Sequence, residues 1–273
     1  MTTSASGGPL EREVRLSATV IAQDEELRIG DCLASLGFCD EVVVVDGGSR
    51  DRTRAIALQT GARVVGRPFD DFAQQHAFAN ANTRGRWILS LDADERVSPS
   101  LAQEIRAVVD RTDDAASHAA FELPFQNHFR GIPLRHGGLW PDRHVRLYRR
   151  DRCRADPSRA VHEKLLVDGT VGRLVAPVLH FGWTSLAQAL QKNERYADAA
   201  ARALHARGTR GSWLRMIGKP MWRFLRGSLL QLGFLDGRAG ALVALVRAHE
   251  AFARESRLWE LTHFAEAERD RLR

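Results

Sequence analysis

Four short runs of apolar residues recur through the first third of the chain: Leu16 to Ala22, Glu41 to Val45, Ala62 to Val65 and Trp87 to Leu91. Polar stretches of helical length separate them, from Glu25 to Leu36, Asp51 to Thr60 and Asp70 to Thr83. Runs of Val and Ile without polar alternation suit strands buried on both faces, and helix-length connections between them suit crossovers. The alternation therefore predicts an α/β fold, a parallel sheet covered by helices on both sides. Such sheets hold ligands in the crevice beyond the carboxyl ends of their strands, so the residues just after each run carry the functional information.

Those residues are acidic. Gln23, Asp24 and Glu25 follow the first run, Asp46, Gly47, Gly48, Ser49 and Asp51 the second, and Asp92, Ala93, Asp94 and Glu95 the fourth. Two carboxylates one residue apart, just past a buried strand, can reach a single divalent cation as the chain turns. Hard oxygen ligands of this kind suit Mg²⁺ or Mn²⁺, which also bind substrate phosphates. An isolated Asp-x-Asp serves as often in a turn or a cap. The glycines after the second run likewise fit a plain strand-to-helix turn, with Ser49 or Asp51 capping a helix whose N-terminus favours anions. It is the convergence of three acidic loops on one end of one sheet that favours a site.

Further along, Ser98-Pro99 predicts an N-cap with proline in the first turn of a helix reaching about Val109. From Ala119 to Trp183 the apolar runs shorten and turn pairs such as Gly137-Gly138 and Asp168-Gly169 appear, so hairpins and loops extending the sheet are expected. From Thr184 the pattern becomes helical: Ser185 and Gln188 fit a capping box, and Leu186, Leu190, Ala197 and Ala201 share a face. The expected organisation is a short flexible lead over 1–15, a catalytic domain over 16–183 and a basic helical extension over 184–273.

Composition narrows the class. With 273 residues, 44% hydrophobic and 27% charged, the chain is long enough for one large domain with an appendage, and it is neither disordered nor a disulfide scaffold. Cys32, Cys39 and Cys153 form no CxxC pair and read as reduced cytosolic thiols with no zinc site. The N-terminus lacks a basic segment followed by an apolar run, and no stretch reaches the roughly 18 uninterrupted apolar residues of a spanning helix. A net charge of +6 calls for an anionic partner.

Taken in order, the segments LSATVIAQDEE, CLASLGFCDEVVVVDGGSRDRT, WILSLDADERVSP, RHGGLWPDRHVRLYRR, AVHEKLLVDG and VLHFGW resemble a family 2 glycosyltransferase with the GT-A fold, a Rossmann-like mixed sheet that binds nucleotide sugars. The resemblance spans residue 16 to about 183 and is nearest to the branch of lipopolysaccharide core β-1,4-glucosyltransferases. It implies an inverting, metal-dependent hexosyltransferase. Asp92 and Asp94 would hold the divalent cation that bridges the donor diphosphate, with Asp92 also approaching the ribose and His180 as a further ligand. Ala22, Asp24, Glu25 and Asp46 would line the base and ribose pocket, with UDP as the expected nucleotide. Two positions depart from the family pattern: Gly47 stands where a second Asp is common, and Asp24 where Asn is common. In the segment before the metal strand Gln75 matches the family, whereas Ala77 stands where Asn is usual.

Inverting transfer needs a general base for the acceptor hydroxyl. Glu163, at the place where the family carries a carboxylate after a later strand, is the first candidate, and Asp142 and His162 are the others. Glu163 would otherwise pair with a nearby arginine. Arg135, His136, Gly137 and Gly138 resemble an acceptor-side glycine loop beside the donor sugar. Arg143, Arg146, Arg149 and Arg150 are available to balance phosphate charge or to sit in solvent.

Between Arg207 and Arg238, Arg210, Arg215, Lys219, Arg223 and Arg226 interleave with Trp213, Leu214, Met216, Ile217, Met221, Trp222, Phe224 and Leu225, and Asp236 is the only acid. That mixture suits a membrane interface; a helix packed on the domain with a solvated charged face is the plain alternative. RNA could also take such a stretch, but no nucleic-acid module accompanies it. The resemblance implies a lipid-anchored acceptor, which favours the interface reading and a peripheral place at the cytoplasmic face of the membrane. A nucleotidyltransferase would need a glycine-rich signature after the first strand, where Gln23-Asp24-Glu25-Glu26 stands. A haloacid-dehalogenase phosphatase would need its nucleophilic Asp there. A noncatalytic, membrane-associated nucleotide-binding protein would have no need of the intact Asp-Ala-Asp.

Overall fold

The computed structural model describes residues 13–69, 72–111, 118–155, 165–183 and 185–271. The four apolar runs form β1 (Leu16–Ala22), β2 (Glu41–Asp46), β3 (Arg63–Gly66) and β4 (Trp87–Asp92). All seven residues of β1 are buried, as expected of a strand with neighbours on both edges and helices on both faces. It pairs in parallel with β2 and with β4, and β2 pairs in parallel with β3. The crossovers are α1 (Ile29–Ala34), α2 (Thr53–Gln59) and α3 (Phe72–Ala81). α1 is shorter than its polar stretch because Glu25 and Glu26 are used in loop contacts described below.

After β4 come the short β5 (Glu95–Val97) and α4 (Pro99–Val109), whose Ser98 Oγ accepts the Leu101 N–H at 3.3 Å, as the Ser-Pro signature predicts. The middle region supplies β6 (Ala120–Phe129), β7 (Ile132–Pro133), β8 (Asp142–Arg149), β9 (Cys153–Ala155), β10 (Leu165–Val167), β11 (Val171–Arg173) and β12 (Val178–Trp183). β8 lies antiparallel beside β4, with Leu89 opposite Leu147. It continues the order β3-β2-β1-β4-β8-β6. The expected hairpins hold only in part: β11 adds to β6 in parallel, and β9 with β10 forms a separate two-stranded ribbon.

The chain packs as two units, 1–124 with 143–178, and 125–142 with 179–273. Residues 125–142 group with the C-terminal helices. Those helices are α5 (Leu186–Ala206), α6 (Trp213–Leu225) and α7 (Gly237–Arg271), with a π-helical turn at Arg226–Leu230 and a 3₁₀ turn at Gly233–Asp236. Ser185 caps α5 through the Gln188 N–H at 3.1 Å. Ala197 and Ala201 are buried as expected, but Leu186 is exposed. In the second unit Phe129, Leu134, Ala239 and Val243 form a core cluster, and α7 ties to α5 through Arg257 Nη2 to Glu194 at 2.7 Å and Asn193 Nδ2 to the Val246 carbonyl at 2.9 Å. Among the described residues no single helix is long and apolar enough to cross a membrane; only Trp213–Leu230 and Gly233–Phe264, bent by 75°, pass together by length and composition.

At the amino ends of the parallel strands sits a buried polar knot. Ser17 Oγ donates to Glu41 Oε2 at 2.6 Å, the Arg84 amide donates to the same oxygen at 2.9 Å, and Gly85 N donates to Ser17 Oγ at 2.8 Å. Burial opposes the Glu41 charge, but these donors outweigh it and hold its carboxyl below the usual range. Truncation to Ala strands the Ser17 hydroxyl and the Arg84 amide. Glu41→Ala should therefore cost about 2–3 kcal/mol in urea unfolding, and a cost under about 0.5 kcal/mol would show that water replaces the carboxylate.

His76 of α3 is buried, with Nδ1 3.1 Å from Ser90 Oγ. Burial pushes it down to about 4, Asp92 and Arg146 being smaller and opposed influences. The unfolded chain takes up this proton near pH 6.5 and the folded chain only near pH 4, so the stability contributed by neutral His76 is present above pH 6.5 and lost as pH falls between them. Between pH 7.5 and 5 the native protein should lose on the order of 2 kcal/mol that a His76→Leu variant does not lose, read from paired urea curves.

Candidate active site

The strand registers bring the acids level. Ala22 lies opposite Asp46, Ile21 opposite Asp92 and Asp46 opposite Gly66, so the first, second and fourth runs end side by side. The ladder gains one rung beyond the strands, with Gly47 N donating to the Ala22 carbonyl at 2.9 Å.

Past that rung the first two loops are sewn together. Asp24, with φ +55°, donates its N–H to Ser49 Oγ at 3.0 Å and accepts the Arg50 N–H on Oδ1 at 2.7 Å. Glu25 N donates to Thr53 Oγ1 at 2.7 Å, Glu26 N to Asp51 Oδ2 at 3.0 Å, and Arg52 N to Glu26 Oε2 at 3.1 Å. Asp24, Glu26 and Asp51 thus satisfy backbone donors of a turn without regular structure. Asp46 is buried and caps the turn through Ser49 N at 3.0 Å, with Arg54 3.9 Å from its other oxygen. At Gly47, where the pattern departs, a Cβ would lie 3.2 Å from Gln23 Cβ, so a larger residue would need Gln23 to give way.

At the end of β4, Arg146 of β8 reaches two carboxylates with one nitrogen. Its Nη2 donates to Asp92 Oδ2 at 3.1 Å and Glu95 Oε1 at 3.0 Å, while the other Glu95 oxygen accepts the Asp92 N–H at 2.9 Å. The Glu95 side chain is 2% exposed and that of Asp92 37%. Burial pushes the Glu95 carboxyl well above its usual range. For Asp92, burial is outweighed by Arg146 and the carboxyl is held below that range. Arg28 Nε donates to Glu25 at 2.6 Å and its Nη1 lies 3.8 Å from Asp94; burial nevertheless leaves Glu25 raised. Of the four arginines in the RHVRLYRR stretch, it is Arg146 that bonds Asp92 and Glu95. Arg143 bonds the Leu174 carbonyl, Arg149 pairs with Asp151, and Arg150 bonds the Thr83 carbonyl.

Gln75 is wholly buried, its Nε2 donating to the Arg67 carbonyl at 3.1 Å just past β3, and its Oε1 meets no hydrogen-bond partner among the described residues. Ala22, Asp24, Glu25, Asp46, Gln75, Asp92 and Asp94 all belong to the first unit, and Arg135, Asp142 and His180 to the second. There, His180 Nδ1 lies 2.7 Å from Asn127 Oδ1 and its ring meets Phe125 edge-on. Asp142 opens β8 and is exposed. Glu163 and His162 lie outside the described residues.

The glycine loop is fastened by a residue that sequence reading left without a role. Asp236 accepts the N–H groups of Arg135 and His136 at 2.9 Å each and lies 2.7 Å from His136 Nδ1. A carboxylate only accepts, so Nδ1 carries the proton. Gly137 N donates to the Gln231 carbonyl, Arg247 donates to the Gly137 carbonyl, and Gly138, with φ +71°, packs where a Cβ would strike the Gln231 side chain at 2.5 Å. Asp236 stood out as the one acid in a basic stretch, and that isolation was the available signal. Arg146 had only its alternation along a strand.

The glycosyl transferase family 2 profile matches residues 17–165. The chain is 28% identical over 254 residues to the lipopolysaccharide core biosynthesis glycosyltransferase LpsC of Rhizobium meliloti (strain 1021), covering 88% of this chain and 93% of that protein. It is 26% identical over 257 residues to the uncharacterized glycosyltransferase RT0209 of Rickettsia typhi, covering 91% and 88%. Among solved structures, S. aureus TarS 1-349 in complex with UDP-GlcNAc is 16% identical, covering 89% of this chain and 91% of that one, with a TM-score of 0.46. The likeness to Mycobacterium tuberculosis glucosyl-3-phosphoglycerate synthase in complex with Mn²⁺ and UDP is 21% identical over 48% of this chain and 51% of that one, with a TM-score of 0.34. With the profile covering more than half of the chain and the acidic strand ends in the expected order, the chain belongs to glycosyl transferase family 2 and has the GT-A fold.

Proposed function

We propose that the protein is an inverting hexosyltransferase that moves a sugar from a UDP-sugar to a lipid-linked saccharide or lipopolysaccharide core at the cytoplasmic face of the membrane. The observation that carries the reading is the acid cluster at the end of β4, level with the ends of β1 and β2 and drawing an arginine onto itself. Its donors are carboxylate oxygens, the hard ligands that suit Mg²⁺ or Mn²⁺, and a guanidinium already rests on them. Asp92 and Asp94 would hold the cation, with His180 as a further ligand. When bound, the cation offsets the charge of the leaving diphosphate. Ala22, Asp24, Glu25 and Asp46, with Gln75 behind them, would border the nucleotide. Arg135 and its loop would face the donor sugar, and Glu163 would take the acceptor proton, with Asp142 and His162 as the other candidates for that role.

Asp94→Ala is expected to keep its melting temperature and to lose about 100-fold or more of UDP-sugar turnover with Mn²⁺. Absence of binding or turnover with any nucleotide sugar in the presence of Mn²⁺ would end the proposal, and nucleotide binding indifferent to metal would favour a noncatalytic binding protein.

The membrane part rests on α6. Met216 is buried, and Lys219 and Arg223 pair with Glu255 at 2.7 Å and Glu250 at 3.3 Å on α7. Trp213, Leu214, Ile217, Met221, Trp222 and Leu225 are left between 41% and 81% exposed. A helix whose apolar side is open and whose cations lie on the other suits the boundary of an anionic bilayer. The protein should sediment with vesicles containing anionic phospholipid, and Leu214→Ser with Trp222→Ser should weaken this about 10-fold or more through lost apolar burial. Equal sedimentation of the double variant would remove α6 from membrane binding.

A further inference from the structure

Arg146 holds its place by an unusual division of labour. One nitrogen, Nη2, bridges Asp92 Oδ2 at 3.1 Å and Glu95 Oε1 at 3.0 Å. The two carboxylates are not equivalent. Glu95 is fixed: its side chain is enclosed, and its second oxygen accepts the Asp92 backbone N–H at 2.9 Å. Asp92 is open to solvent on part of its side chain, and its carboxylate is the one that can exchange partners. Arg146 itself stands on a strand paired with β4, at a position next to the Leu89–Leu147 pair. Backbone pairing holds its Cα beside β4, while the guanidinium at the end of a long side chain can turn.

A guanidinium bridging two carboxylates occupies the position of a cation between them, and two cations cannot share Asp92 without strong repulsion. We infer that Arg146 is the resident counter-ion of the acid cluster, that it yields Asp92 when a divalent cation binds there, and that, still tethered to Glu95, it turns its released edge to the diphosphate of the donor. The inference rests on the proposal that Asp92 and Asp94 hold a divalent cation. Its consequence is linkage: the cation alone must compete with Arg146, whereas the cation with a diphosphate gives that arginine a new anionic partner, so each ligand favours the other. Arg143, Arg149 and Arg150 bond the Leu174 carbonyl, Asp151 and the Thr83 carbonyl.

The test is a titration of Mn²⁺ followed by electron paramagnetic resonance, first without nucleotide and then with UDP at saturating Mn²⁺, on the full-length chain. Arg146→Gln should bind Mn²⁺ alone about 10-fold more tightly than the unmodified protein and, with Mn²⁺ present, bind UDP about 10-fold more weakly, within the usual range of coupling between linked sites. Opposite signs on the two affinities are the signature. Mn²⁺ affinity unchanged or weakened in Arg146→Gln would overturn the inference, as would unchanged UDP affinity. If Arg146→Gln does not fold, Arg146→Met replaces it, because it keeps an apolar stem of similar length and removes the charge and the bridge; tighter Mn²⁺ binding again supports the inference, and equal or weaker binding overturns it. Asp94→Ala separates the two layers. If unmodified protein and Asp94→Ala bind Mn²⁺ alike, the metal site itself fails; if Asp94→Ala loses Mn²⁺ while Arg146→Gln behaves as the unmodified protein, only the role of Arg146 fails.

Discussion

The in-register parallel pairing of β1 with β2 on one side and β4 on the other is the constraint on which the rest depends. Because the pairs Ala22–Asp46 and Ile21–Asp92 are fixed by backbone hydrogen bonds, three loops from distant parts of the chain leave the sheet at one level. A slip of one residue in either pairing would turn Asp46 or Asp92 toward the opposite face. The full burial of β1 prevents such a slip, since it would carry Ser17 and Thr19 into positions now filled by Ala18 and Val20. The polar knot of Ser17, Glu41 and Arg84 pins the same register from the other end.

Loops at the carboxyl ends of such strands must satisfy their own backbone groups, and here they do so with the side chains that made the segment look like a ligand shell. Asp24, Glu26 and Asp51 each accept a neighbouring loop's N–H, and the two loops become one object. Carboxylates so engaged shape the loops. Those of Asp92 and Asp94 lie instead against Arg146 and Arg28.

Local patterning made the first half of the fold legible. The four strands fall where runs of Val and Ile fall, and the Ser-Pro and Ser-x-x-Gln caps sit where helices begin, because each signal is contained within a few residues of its consequence. Signals between distant residues were not legible. The parallel addition of β11 to β6 has no turn motif to announce it, and the choice of Arg146 among four arginines depends on the antiparallel register of β8 against β4. Leu186 fits a helical face on paper and is exposed because it lies at the open end of α5, beyond the reach of the partners that bury Ala197 and Ala201. At the site, the acids after each strand were read from position, their roles toward a metal and a nucleotide came only from the family resemblance, and the fastening of the glycine loop by Asp236 spans a hundred residues of sequence.

That fastening bears on how such a protein can be altered. The loop from Arg135 to Gly138 takes its shape from Asp236, Gln231 and Arg247, and residues 125–142 pack in one unit with 179–273. The C-terminal helices are therefore not a detachable tail. Recombination that exchanged only the segment after residue 183 between homologues would separate a loop from its mould, so a viable exchange would have to carry 125–142 together with the C-terminal helices.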